Sequence, residues 1–135
     1  MGSIYFGSWQ RGFLLVTLAG ALGALATEAT AACTPAQGAV VFKKCAACHV
    51  ADGPKHGVGP SLAGVVGRRS ASAPGFTFSP ALRALSTSWT AGNLDQFIES
   101  PQRFATGTRM AFSGLRNAQE RADLICFLAT KRAVA

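Results

Sequence analysis

Strand-forming alternation is nearly absent from this chain, which leaves little from which to build a sheet. No segment repeats and none is of low complexity, so a single domain is expected and not an array. Charge is scarce: Asp, Glu, Lys and Arg make up 14% of 135 residues, with 6 acidic against 13 basic. The net charge of +7 comes without a lysine-rich run, so it does not point to nucleic acid. No apolar run reaches the length of a membrane span; the longest, Gly12 to Ala26, holds fifteen residues.

That run has a particular setting. Met1 to Gln10 holds no acid, Arg11 precedes the run, and the small residues Ala29, Thr30, Ala31 and Ala32 follow it. This is the pattern of a secretory signal peptide. The expected organisation is a signal peptide over residues 1–32 and one domain over 33–135. An uncleaved leader would instead tether the domain to a membrane. Either way the domain belongs in an oxidising compartment, the periplasm of a bacterium. Cleavage after Ala32 removes Arg11 and Glu28 together, so the net charge stays at +7. A basic exported domain favours partners with acidic surfaces.

Helix signals are clear but short, and the expected fold class is all-α. Thr34-Pro35 is a cap followed by proline at the first helical position, opening a helix to about Ala46. Ser79-Pro80 repeats the signal before a turn of helix from Ala81 to Leu85. Thr90 caps a third, with Leu94, Phe97 and Ile98 on one face; it ends by Ser100 because Pro101 disfavours helical geometry there. Asn117 and Glu120 resemble a capping box and open the last helix, where Leu124, Ile125, Phe127 and Leu128 form the buried side. Between these lie Gly/Pro-rich stretches, Asp52 to Gly75 and Pro101 to Gly114. Loops that long are uncommon in a compact domain and need something to organise them. So small a chain also makes a marginal core alone. A large apolar cofactor would solve both problems.

Cys45-Ala-Ala-Cys48-His49 is the pattern of haem attachment. At i, i+3 and i+4 the three side chains point to one side of a helical turn. Two thiols can then add to two vinyl groups, with the His49 imidazole beneath the iron. A thioredoxin-like redox pair would need a surrounding βαβ pattern, which is missing. A zinc site would need a second CxxC or a His pair, and none follows. A structural disulfide fits poorly with the adjacent histidine. The cofactor expected is therefore one covalently attached haem c.

The sixth position has two candidates. Met110 is the one methionine after the leader, and it lies in the loop Thr106-Gly-Thr-Arg-Met-Ala-Phe112, a poor place for core filler. His56 stands seven residues past His49, a reach of at most ~24 Å that could only just wrap a macrocycle. Met110 is the favoured ligand, because His/Met ligation raises the potential and suits electron transfer. For His56 a structural hydrogen bond to backbone is expected.

With these residues in place, the chain from about Gly38 to Leu128 resembles the class I cytochromes c. The matching pieces are Gly38…Phe42, Cys45-x-x-Cys48-His49, Gly59-Pro60-Ser-Leu62, Gly67-Arg68, Pro74-Gly-Phe-Thr-Phe78, Trp89, Pro101, Gly107-Thr-Arg-Met110 with Phe112, and Arg121-Ala-Asp-Leu-Ile125. The resemblance implies a small cytochrome c fold, about four short helices and long loops wrapped around one haem. It implies that the Pro60 carbonyl accepts from His49, that Arg68 and Trp89 meet the propionates, and that Gly38 and Phe42 pack against Leu124 and Phe127. The chain departs from the family at Phe78 and Phe97, where tyrosines are frequent, and at Thr106, where proline is frequent. These changes bear on the potential and on the stiffness of the methionine loop. In the family a lysine of that loop can replace the methionine at high pH, whereas this chain has no lysine between Lys55 and Lys131.

The function implied is one-electron transfer between respiratory or photosynthetic membrane complexes or a periplasmic dehydrogenase. A haem with both axial positions filled has no open site for substrate, so no enzyme and no small-molecule substrate is expected. The alternative is a haem that loses Met110 and acts as a peroxidase or gas sensor; the lack of an evident distal acid–base histidine weighs against it. A third possibility is a subunit tethered to a larger enzyme. Lys43, Lys44, Arg103, Arg109 and Arg116 lie on segments expected to ring the haem edge and steer acidic partners to a monomer. The remaining cysteines, Cys33 and Cys126, would come near one another if the first and last helices pack as the family resemblance implies. A disulfide between them is one reading. A lipidated Cys33 and a merely buried Cys126 are the others.

Overall fold

The computed structural model describes residues 1–2 and 32–132. The expected signal peptide therefore lies outside the described residues, apart from Met1, Gly2 and Ala32. Five helices follow in order: α1 (Pro35–Phe42), α2 (Pro80–Ala84), α3 (Ala91–Glu99), α4 (Pro101–Phe104) and α5 (Ala118–Ala129). The extended pairing among the described residues is one isolated antiparallel bridge between Arg69 and Ser88. The fold is all-α, as the missing alternation predicts.

The capping signals place most helix starts correctly. Ser79 accepts from the Leu82 N–H at 3.3 Å and Thr90 from the Asn93 N–H at 3.1 Å. Asn117 accepts from the Glu120 N–H at 3.1 Å. The expected capping box is only half built, because the Glu120 carboxylate turns away to Lys44 at 2.7 Å. Thr34 marks the start of α1, but its side chain makes no cap bond. Its backbone N–H donates instead to Asp123 of α5 at 2.6 Å.

Two boundaries correct the sequence reading. The first helix ends at Phe42 and not at Ala46. The chain keeps coiling, but Lys43, Lys44 and Cys45 bond three residues back, which tightens the turn that carries the cysteines. There are also five helices and not four. Ser100 is forced out of helical geometry (φ −156, ψ 85), and Pro101 then opens α4 at its first position. The same proline ends one helix and starts the next.

α1 lies across α5, and α3 packs on both α5 and α4. Gly38 allows the crossing: a Cβ there would run into the Asp123 carbonyl and the Phe127 side chain. Phe42 meets Phe127 at 5.4 Å between ring centroids, as the resemblance implies. Arg121 of α5 is buried and bound to Asp95 of α3 at 2.6 Å and to the Leu115 carbonyl at 2.9 Å. Cys33 and Cys126 are joined in a disulfide, Cα atoms 6.1 Å apart, which fastens the segment before α1 to α5. Among the described residues no helix is long and apolar enough to cross a membrane.

Candidate functional site

The long loops and the inner faces of α3 and α5 enclose a cavity of about 660 Å³. That lies within the usual range of roughly 300–1,000 Å³ for cofactor sites. Its wall is largely apolar, built from Val65, Trp89, Leu94, Phe97, Leu124 and Leu128. All seven residues singled out from the sequence border it: Cys45, Cys48, His49, Pro60, Arg68, Trp89 and Met110.

His49 is fixed by its neighbours. Its Nδ1 lies 2.8 Å from the Pro60 carbonyl. A carbonyl can only accept, so Nδ1 carries the proton and Nε2 is left with the lone pair a metal needs. Gly59 presses on the ring; a Cβ at that position would collide with the imidazole. Burial pushes the His49 pKa down, partly offset by the bond to Pro60, and so favours the neutral form. Burial pushes the Cys45 thiol up; Cys48 adds to the rise and Lys44 opposes it.

Arg68 and Trp89 are distant in sequence but adjacent in space. The Trp89 N–H donates to the Arg68 carbonyl at 2.8 Å, and the Gly67 N–H donates to the Trp89 carbonyl at 2.9 Å. The Arg68 guanidinium spends Nη1 on Ala63 and Nη2 on Ser61, at 2.9 and 3.0 Å. Its Nε is buried with no hydrogen-bond partner. Arg68 borders the cavity, and an unanswered donor on such a residue fits the anionic edge of a haem. The two thiols, the imidazole oriented by Pro60 and this donor together form a site that suits a covalently held porphyrin.

His56 is placed elsewhere. Its Nδ1 accepts from the Ser61 N–H at 3.0 Å, so Nε2 donates to the Pro74 carbonyl, 2.8 Å away. It does not line the cavity, and the structural hydrogen bond expected for it is found. Of the five cations expected around the haem edge, Lys44 and Arg109 border the cavity, while Lys43, Arg103 and Arg116 are exposed elsewhere. Arg69 borders the cavity too, and sequence reasoning missed it. It also missed Gln102, whose side chain reaches the methionine loop from α4. Phe78 and Phe97 line the cavity without the hydroxyls that tyrosines would bring.

Comparison with known proteins points to one family. Residues 35–131 match the family model described as cytochrome c. The chain is 42% identical over 117 residues to a cytochrome c2 of Rhodomicrobium vannielii, covering 86% of this chain and 94% of that protein. It is 39% identical over 122 residues to cytochrome c-554 of Methylosinus trichosporium, covering 88% and 92% respectively. The solved structure of cytochrome cH from Methylobacterium extorquens superposes with a TM-score of 0.70 at 37% identity, over 73% of this chain and 99% of that one.

Proposed function

The chain belongs to the cytochrome c family, whose members carry electrons on a covalently attached c-type haem, and we propose that here His49 and Met110 are the iron's two axial ligands. The haem supplies a one-electron couple at its iron. Cys45 and Cys48 hold the ring through thioethers. Pro60 keeps the His49 imidazole in the tautomer that ligates through Nε2. Arg68, with its unpartnered Nε–H, and Trp89 border the cavity and would stand on the propionate side. The apolar wall excludes water and limits the reorganisation that a change of charge would otherwise demand.

The observation that carries this reading is that His49 and Met110 border one apolar cavity, with the other nitrogen of His49 spent on Pro60. Electrons would pass to and from redox proteins with acidic docking surfaces. Membrane respiratory or photosynthetic complexes and a periplasmic dehydrogenase are the classes proposed, met by a monomeric carrier in the periplasm. The exposed cations Lys44 and Arg109 at the cavity rim and the leader pattern of residues 1–32 support that placement.

The test is an absorption spectrum and redox titration of the holoprotein and of Met110→Ala. The oxidised wild type should show the charge-transfer band of a methionine–iron bond. Met110→Ala should lose it and lower the potential. An unchanged spectrum and potential would remove Met110 as ligand.

A further inference from the structure

We propose that Gln102 is a positioning residue for Met110, strapping the methionine loop to α4 through its side-chain amide. The proposal rests on the ligand role of Met110 argued above.

Between Arg109 and Gly114 the backbone makes no hydrogen bond to other backbone among the described residues. The last such bond before this stretch runs from the Thr108 N–H to Ala105, at 2.9 Å; the next runs from the Leu115 N–H to Ile98, at 2.9 Å. Met110 sits inside that gap. What holds its backbone comes from side chains. Gln102 Nε2 donates to the Thr108 carbonyl at 3.0 Å and to the Met110 carbonyl at 3.3 Å. A primary amide has two hydrogens, so one group can serve both carbonyls. Both facing atoms are acceptors, which fixes which way round the amide lies.

A second link runs the other way. Thr106 Oγ1 donates to the Gln102 carbonyl at 3.2 Å. Thr106 lacks the locked φ of a proline, so the loop depends more on these bonds for stiffness. The remaining tie of the Met110 backbone is the contact from its N–H to Thr108 Oγ1, weak at 3.4 Å. Arg109 also reaches the Thr77 carbonyl, but through a long side chain that leaves the Met110 backbone free. Gln102 itself is exposed and outside the core, so replacing it leaves the packed interior intact.

Displacing Met110 from the iron requires the loop to move, and movement breaks the strap. Imidazole titrated into the oxidised holoprotein reads that cost. Gln102→Leu and the near-isosteric Gln102→Glu both remove the donors, and each should bind imidazole roughly 2- to 12-fold tighter, the worth of a net hydrogen bond. Hydrogen exchange at the Ala105 and Thr108 amides, whose N–H groups are bonded to Pro101 and Ala105, should quicken in both, while the thermal midpoint moves little. Thr106→Val should change affinity in the same direction and by less. If Gln102→Leu does not load haem, Gln102→Glu decides. Wild-type imidazole affinity in the Gln102 variants, with the methionine–iron band present in the parent, would overturn the strap. Absence of that band in the parent would overturn Met110 as ligand, and the strap with it.

Discussion

His49 takes its orientation from two neighbours, a carbonyl that accepts from Nδ1 and a glycine without which the ring would not fit. Both come from the single stretch Gly59-Pro60. Met110 has no such local support, and its environment decides what can replace it. The positions that match the family's lysines carry Gln102 and Arg103 in α4 and Arg109 in the methionine loop, and no lysine stands between Lys55 and Lys131. Arginine stays protonated throughout the accessible range and cannot ligate. The methionine–iron bond should therefore persist to higher pH than a nearby lysine would allow, or yield to hydroxide. A pH titration of the oxidised protein followed by magnetic resonance separates the two, and a lysine-ligated form near neutral pH would contradict this. At this scale the sequence was informative where chemistry is local. The spacing of Cys45, Cys48 and His49 states their joint use. The choice between Met110 and His56 turned on loop placement and reach, and the structure gives His56 two backbone partners of its own. The orphaned Nε of Arg68 had no sequence signal, because it depends on where Ala63 and Ser61 turn their carbonyls.

The helices differ in how far their own residues determine them. Ser79, Thr90 and Asn117 cap through adjacent turns, and those starts could be read directly. Thr34-Pro35 also marked the start of α1, but not how it is held, because the group that answers the Thr34 N–H is Asp123, 89 residues away. The end of α1 was misread because the cysteine turn keeps helical handedness while shortening its bonds. α4 was missed because a proline reads first as a stop. The α1–α5 crossing yields a prediction with its own control. In Gly38→Ala the new methyl group meets the Asp123 carbonyl, which belongs to helix backbone and cannot turn aside. Overpacking of this kind costs about 1–3 kcal/mol, so the unfolding midpoint should fall clearly. Gly92→Ala in α3 is the contrast. Its nearest neighbour is the Thr90 hydroxyl at 4.0 Å, and exchanging helical glycine for alanine should gain up to about 1 kcal/mol. Equal effects of the two substitutions in denaturant titrations would refute the account of the crossing.

For the molecule as a whole, one cavity collects residues from Lys44 to Leu128, and only the order of motifs hinted at that convergence. Its rim carries the exposed cations Lys44 and Arg109 on a chain of net charge +7. Association with an acidic redox partner should slow as salt rises, and Lys44→Glu with Arg109→Glu should flatten that dependence in stopped-flow measurements. A salt-independent rate in the wild type would exclude electrostatic steering. Lys44 is already paired with Glu120, so Arg109→Glu should have the larger effect of the two. The disulfide acts over a greater span. Cys33 and Cys126 are 93 residues apart in sequence, so their bond closes nearly the whole described chain into a loop. In the chain-entropy model a loop of that size stabilises by up to ~4–5 kcal/mol, mainly by restricting the unfolded ensemble. Neither cysteine borders the cavity, so the effect should be confined to stability. Cys33→Ser/Cys126→Ser should lower the thermal midpoint of the holoprotein by many degrees and leave the reduction potential and the methionine–iron band unchanged. Intact mass before and after reduction shows whether the bond is present in the parent. A parent with two free thiols, or a double variant as stable as the parent, would show that the packing of α1 on α5 suffices without it.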